Sequence, residues 1–223
     1  MRTVSLVQLA VYAALGALLF GGGAGIRAQD GLDSRITIMI FDYAGVQADA
    51  LLKAEQEASR VLGHSGVDIT WRLCRAPRSS VPIECPKPGP RTLVVRLVPR
   101  FQPAPGMAAG AMGYCTGYFA TVSVGFAQKL ESKGVARLAD ILGHVMAHEI
   151  GHQLLPGEEH SVSGIMRAQW GGDEWKLMRQ GHLNFAPQQG QFMRAELRRR
   201  SPPTLQEARA SSSIGVLSQG PSR

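Results

Sequence analysis

The sequence predicts an α+β fold whose N-terminal half is α/β-like. Three observations lead there. Between residues 35 and 74, two runs with strand periodicity flank one with helical periodicity. That order builds a βαβ crossover feeding a partly parallel sheet. A further β-branched run follows at residues 92–98, and an apolar-striped segment at 135–155 carries three histidines at steps of four. Of the 223 residues, 195 follow residue 28, a length that suits one domain with an ordinary core.

The first 28 residues stand apart. Met1-Arg2 is a short positive start, and Val4 to Phe20 is apolar except for Ser5, Gln8 and Gly16. Gly21-Gly22-Gly23 and small residues lead to Ile26-Arg27-Ala28. This composition predicts a signal peptide over 1–28, cut before Gln29, and hence a secreted or periplasmic protein. The alternative is a retained anchor, since the run is nearly long enough to span a bilayer. Membrane association is expected only in that case.

Arg35 to Tyr43 is continuously apolar and β-branched and predicts a strand buried on both faces. From Val46 the period changes. Val46, Ala50, Leu51, Ala54, Ala58, Val61 and Leu62 recur at three and four, an amphipathic helix ending at Gly63 or Gly66. Val67 to Cys74 alternates as a second strand, and Thr92 to Val98 forms a third, stopped by Pro99. Tyr114 to Phe126 reads as a fourth strand, at an edge facing a cleft, where an extended peptide would find backbone partners. Val135 to Leu155 predicts a helix that Pro156-Gly157 should end. A helix starting near Asp173 and another from Pro187 to Arg199 complete a domain over 29–200. The Ser-, Pro-, Gly- and Gln-rich residues 201–223 predict a disordered tail.

The formal net charge is +7, and losing Arg2 and Arg27 with the signal reduces it to +5. Much of the excess sits in residues 194–200, where Arg194, Arg198, Arg199 and Arg200 surround Glu196. Only Phe192 lies nearby, so the aromatic interleaving of a nucleic-acid surface is missing; this is a solvated helix face. No nucleic-acid partner is expected. Of three cysteines, Cys74 and Cys85 bracket a Pro- and Arg-rich loop, and a disulfide between them is expected in an exported chain. Cys115 is left over, as a buried thiol or as a thiol near the site that ligates a metal in a latent form.

The chemistry concentrates in His148-Glu149-Ile150-Gly151-His152. On a helix, residues four apart share a face, so His148 and His152 can bind one ion, and Glu149 projects beside it, where a bound water would sit. The pattern is a metallopeptidase signature, and imidazole suits zinc. His144 continues the same spacing but lies a turn behind, as a core residue or a partner to the ligands.

With His160 and Gly164-Ile165-Met166 following, the segment resembles the metzincin clan of zinc peptidases, whose pattern is H-E-x-x-H-x-x-G-x-x-H and a later Met-turn. The resemblance covers residues 140–170. It implies a metzincin-like mixed, mainly parallel sheet with an active-site helix and a small helical C-terminal subdomain. It also implies Zn2+ held by His148, His152 and His160, Glu149 as general base, and Met166 in the turn beneath the metal. The segment departs from the clan in spacing. The clan's third ligand falls six residues after the second histidine, whereas His160 falls eight after it, and Leu155 stands where the clan has glycine. Glu158, Glu159 and Glu174 therefore stay open as rival third ligands. No tyrosine follows Met166 closely, which leaves Tyr114, Tyr118 and His182 as candidate transition-state donors.

The expected activity is an exported zinc metalloendopeptidase that hydrolyses peptide bonds in peptide or protein substrates and works as a monomer. The alternative is a catalytically weak or inactive zinc-binding protein that recognises peptides through the same cleft.

Overall fold

A computed structural model describes residues 34–75, 85, 87–102, 110–117, 119–157 and 160–201. The predicted signal peptide, the tail beyond Ser201, most of the loop before Cys85, Tyr118, Glu158 and Glu159 lie outside the described residues. The described part is α+β, with five strands and five helices.

One sheet holds all five strands in the order β2-β1-β3-β5-β4. β1 (Arg35–Asp42) runs parallel to both β2 (Asp68–Arg75) and β3 (Thr92–Val98). The β1–β2 connection is α1 (Ala48–His64), the βαβ unit that the change of period from two to 3.6 announces. Asp42 prepares the turn into α1. Its carboxylate accepts from the backbone N–H groups of Ala44, Gly45 and Val46 at 2.8–2.9 Å. Cys74 and Cys85 form a disulfide that ties the end of β2 to the following loop.

β5 (Phe119–Ser123) continues the parallel set beside β3, and β4 (Gly113–Thr116) pairs with it antiparallel at the sheet's edge. The single strand expected over residues 114–126 is therefore incorrect. Gly117, at φ 57°, reverses the chain and splits the run into a hairpin. The run then ends at Ser123, whose hydroxyl accepts from Phe126 N and caps α2 (Val124–Ser132). Val124 and Ala127 are buried in the core, so tertiary burial overrides the β propensity of this segment.

α3 (Leu138–Leu154) starts three residues later than the sequence pattern predicts and stops one residue earlier. Pro156 disfavours helical backbone at the residue before it, and Leu155 is accordingly extended at φ −93°, ψ 146°. Ile36, Ile38 and Ile40 of β1, Leu93, Val95 and Leu97 of β3, and Ala120 and Val122 of β5 form one core with the apolar stripe of α1 and with α3. α3 is the central element of that core: 13 of its 17 residues are buried. α4 (Gly172–Arg179) and α5 (Pro187–Arg199) close the chain. Arg200, just past α5, donates to the Gln153 carbonyl at 2.6 Å and ties this end of the chain to the last turn of α3. Among the described residues no helix is long and apolar enough to cross a membrane.

Candidate metal centre and its cleft

His148 and His152 project from the C-terminal half of α3, one turn apart. Their Nε2 atoms are 3.1 Å from each other. Beyond the helix end the chain reverses and brings His160 back, with its ring centroid 5.4 Å from that of His148 and 4.8 Å from that of His152. One nitrogen from each ring lies within 4.8 Å of the others, so the three can hold one metal ion.

The donor set fits a cation. His148 Nδ1–H donates to the Ile165 carbonyl at 2.7 Å, which leaves its Nε2 as a lone pair aimed at the other two rings. Burial lowers the His148 pKa to about 3, with the neighbouring histidines adding to the effect, and lowers that of His152 to about 4. Both imidazoles are thus neutral at ordinary pH, the state that ligates a metal. His160 is more exposed, and burial lowers its pKa too.

Glu149 lines the same cleft and is 4% exposed. Burial raises its pKa to about 8. Oε2 has no hydrogen-bond partner among the described residues. Such a carboxyl is poised to exchange a proton near neutral pH.

No protein-family model matches this sequence, and no curated protein matches it. Among solved structures, the chain is similar to the crystal structure of a zinc-dependent peptidase from Methanocorpusculum labreanum (strain Z). The two are 17% identical at a TM-score of 0.49, over 72% of this chain and 99% of the other.

Met166 is fully buried in the turn that follows His160. A Cβ on Gly151 would come within 2.7 Å of its sulfur and within 2.7 Å of the Phe185 ring, so the turn packs directly on α3 between the two histidines. Of the rival ligands, Glu174 is engaged elsewhere. Its carboxylate accepts from Arg167 Nη1 and from Gly171 N, each at 2.8 Å, so it supplies no oxygen to the cluster. His144 is fully buried a turn behind, where its Nδ1–H donates to the Asp140 carbonyl at 2.8 Å and Nε2 lies 3.6 Å from Glu57 Oε1. Tyr114 lines the cleft, whereas His182 is not among its lining residues. Cys115 lies outside the disulfide and also lines the cleft, with Sγ 3.7 Å from the Gly117 carbonyl.

Two contributions escaped the sequence reading. Trp170 Nε1–H donates to the Ile165 carbonyl at 3.0 Å, the same oxygen that orients His148, and its ring stands edge-on to that histidine at 5.8 Å. The other is the part of the wall opposite α3 that precedes the strand expected from Tyr114, Ala111 to Gly113. Between these walls the cleft holds about 570 Å³. Trp170 lies in a loop without periodic signal, and Ala111 to Gly113 close a Gly- and Ala-rich stretch that carries none either.

Proposed function

We propose that this protein is an exported zinc-dependent peptidase that hydrolyses peptide bonds. The observation that carries the reading is the convergence of the His148, His152 and His160 imidazoles in one open cleft, beside a buried Glu149 oxygen that has no hydrogen-bond partner among the described residues. Three protein ligands with a neighbouring carboxylate match a catalytic zinc site. Zinc, when bound, supplies Lewis-acid polarisation of a carbonyl and brings the pKa of water toward ~7.

The chain's own residues do the rest. Ile165, through its carbonyl, keeps the His148 proton on Nδ1 and Nε2 free to ligate. Glu149 takes a proton from the attacking water on its carboxylate and returns it to the leaving amine. Val145, Met112 and Trp170 wall the cleft with apolar surface, which strengthens electrostatic interactions inside it. Among the described residues β4 pairs only with β5, so its outer edge offers backbone groups to an extended peptide. Export is supported by the leader-like first 28 residues, and the Cys74–Cys85 disulfide suits an oxidising compartment. A role in peptide binding without catalysis would leave Glu149 Oε2 buried with no hydrogen-bond partner among the described residues and no use for it, at a cost in stability.

The test is metal analysis joined to proteolysis. Purified protein should carry about one zinc per chain and cleave an unfolded protein substrate until a chelator is added. Glu149→Ala should keep the metal and lose cleavage. A wild type that holds zinc but cleaves nothing in a broad peptide library would sink the enzymatic reading.

A further inference from the structure

The cleft wall opposite α3 approaches it tightly at Gly113. A Cβ placed there would lie 2.5 Å from Glu149 Oε1, 2.8 Å from Cδ and 2.9 Å from Cγ. The conflict runs along the side chain from Cγ to the carboxylate, so swinging the tip alone gives no relief. Neither partner moves easily. Gly113 is paired with Val122 of β5, and Ser123 N donates to the adjacent Met112 carbonyl at 2.9 Å. Glu149 stands on the most deeply buried helix among the described residues.

Backbone conformation does not explain this glycine. Gly113 is not among the residues with positive φ, so an alanine fits its backbone without strain. What an alanine lacks is room, and the side chain in its way is Glu149.

We propose that Gly113 is a positioning residue, whose missing side chain seats the Glu149 carboxylate against β4 in the cleft that the three imidazoles share. The assignment rests on Glu149 being the general base. β4 thereby has two roles, an edge open to a peptide on one side and the seat of the base on the other.

Gly113→Ala in the full chain tests it. Zinc content should stay at the wild-type level while kcat on a fluorogenic peptide falls about 10²-fold, the cost of misplacing a reacting group by about 1 Å, with KM nearly unchanged. In a Glu149→Asp background, where the acid is one methylene shorter, the same substitution should cost no more than about twofold, a dependence on background that marks the two sites as coupled. A crystal structure of Gly113→Ala should show the carboxylate displaced by about 1 Å. Equal penalties in both backgrounds, or a carboxylate left in place, overturn the assignment. Should Gly113→Ala fail to fold, adding Glu149→Ala should restore folding, and failure in both backgrounds overturns it as well. If the wild type itself cleaves nothing, the peptidase reading falls, while the position of the carboxylate still decides whether Gly113 seats it.

Discussion

His160 is exposed where His148 is buried and His152 half-buried, and of the three clustered histidines it is the one that does not stand on α3. Helical periodicity made the other two legible, because a spacing of four on a helix is a distance in space. A loop has no such rule, and a spacing of eight from His152 to His160 left three glutamates in competition. The geometry removes Glu174 by pairing it with Arg167. His160→Ala should therefore reduce zinc from about one per chain to well under half after dialysis, read by metal analysis, with the far-ultraviolet circular dichroism unchanged. Full occupancy in that variant would move the third position to Glu158 or Glu159.

α3 owes its place to packing more than to amphipathicity, since it is buried nearly all round. Its sequence pattern announced a helix but misplaced its start, because nothing local separates residues 135–137 from it. Its stop was legible in Pro156. The Met166 turn depends on a contact that spacing does not reveal, the close approach of a sulfur and an aromatic ring to the backbone at Gly151. Gly151→Ala should overpack this contact and destabilise the protein by about 1–3 kcal/mol, measured by denaturant unfolding. It should also weaken zinc binding, since Ile165, beside Met166, carries the carbonyl that orients His148. Wild-type stability with wild-type metal affinity would show that the turn is not held there. The hairpin and α2 were misread for a related reason. A glycine at φ 57° and a serine cap divide one β-branched run into three elements.

Across the whole molecule, the buried groups of the cleft set opposite pH dependences for the metal-free protein. His148 and His152 have folded pKa values of about 3 and about 4, below the unfolded value of ~6.5. The unfolded chain binds more protons in that window, so stability rises with pH up to about 6.5. Glu196, lowered to about 2 chiefly by its hydrogen bond to Arg199, acts in the same sense; its contribution is present above the unfolded value and lost as pH falls. Glu149, raised to about 8 by burial, acts oppositely. The native state holds its proton longer, and this stabilisation is lost as pH rises from ~4.3 through 8. Two histidines outweigh one glutamate below 6.5, and the glutamate alone remains above it. Thermal denaturation in chelator should therefore show greatest stability near pH 6.5 and a decline toward pH 8. A melting temperature that climbs steadily to pH 8 would contradict this. Added zinc should raise stability once the pH is above about 4, where the folded His148 and His152 imidazoles are neutral.

By itself the sequence determined what depends on neighbours along the chain: the βαβ start, the helix with its two histidines and acid, and the proline that ends it. These follow from periodicity and local sterics, which act over a few residues. Only the tertiary structure brings the His160 ring against the two histidines. It also decided that Trp170 shares the carbonyl holding His148, and that a glycine on an edge strand makes room for Glu149. Those are contacts between segments far apart in sequence, selected by packing once the sheet and α3 are in place.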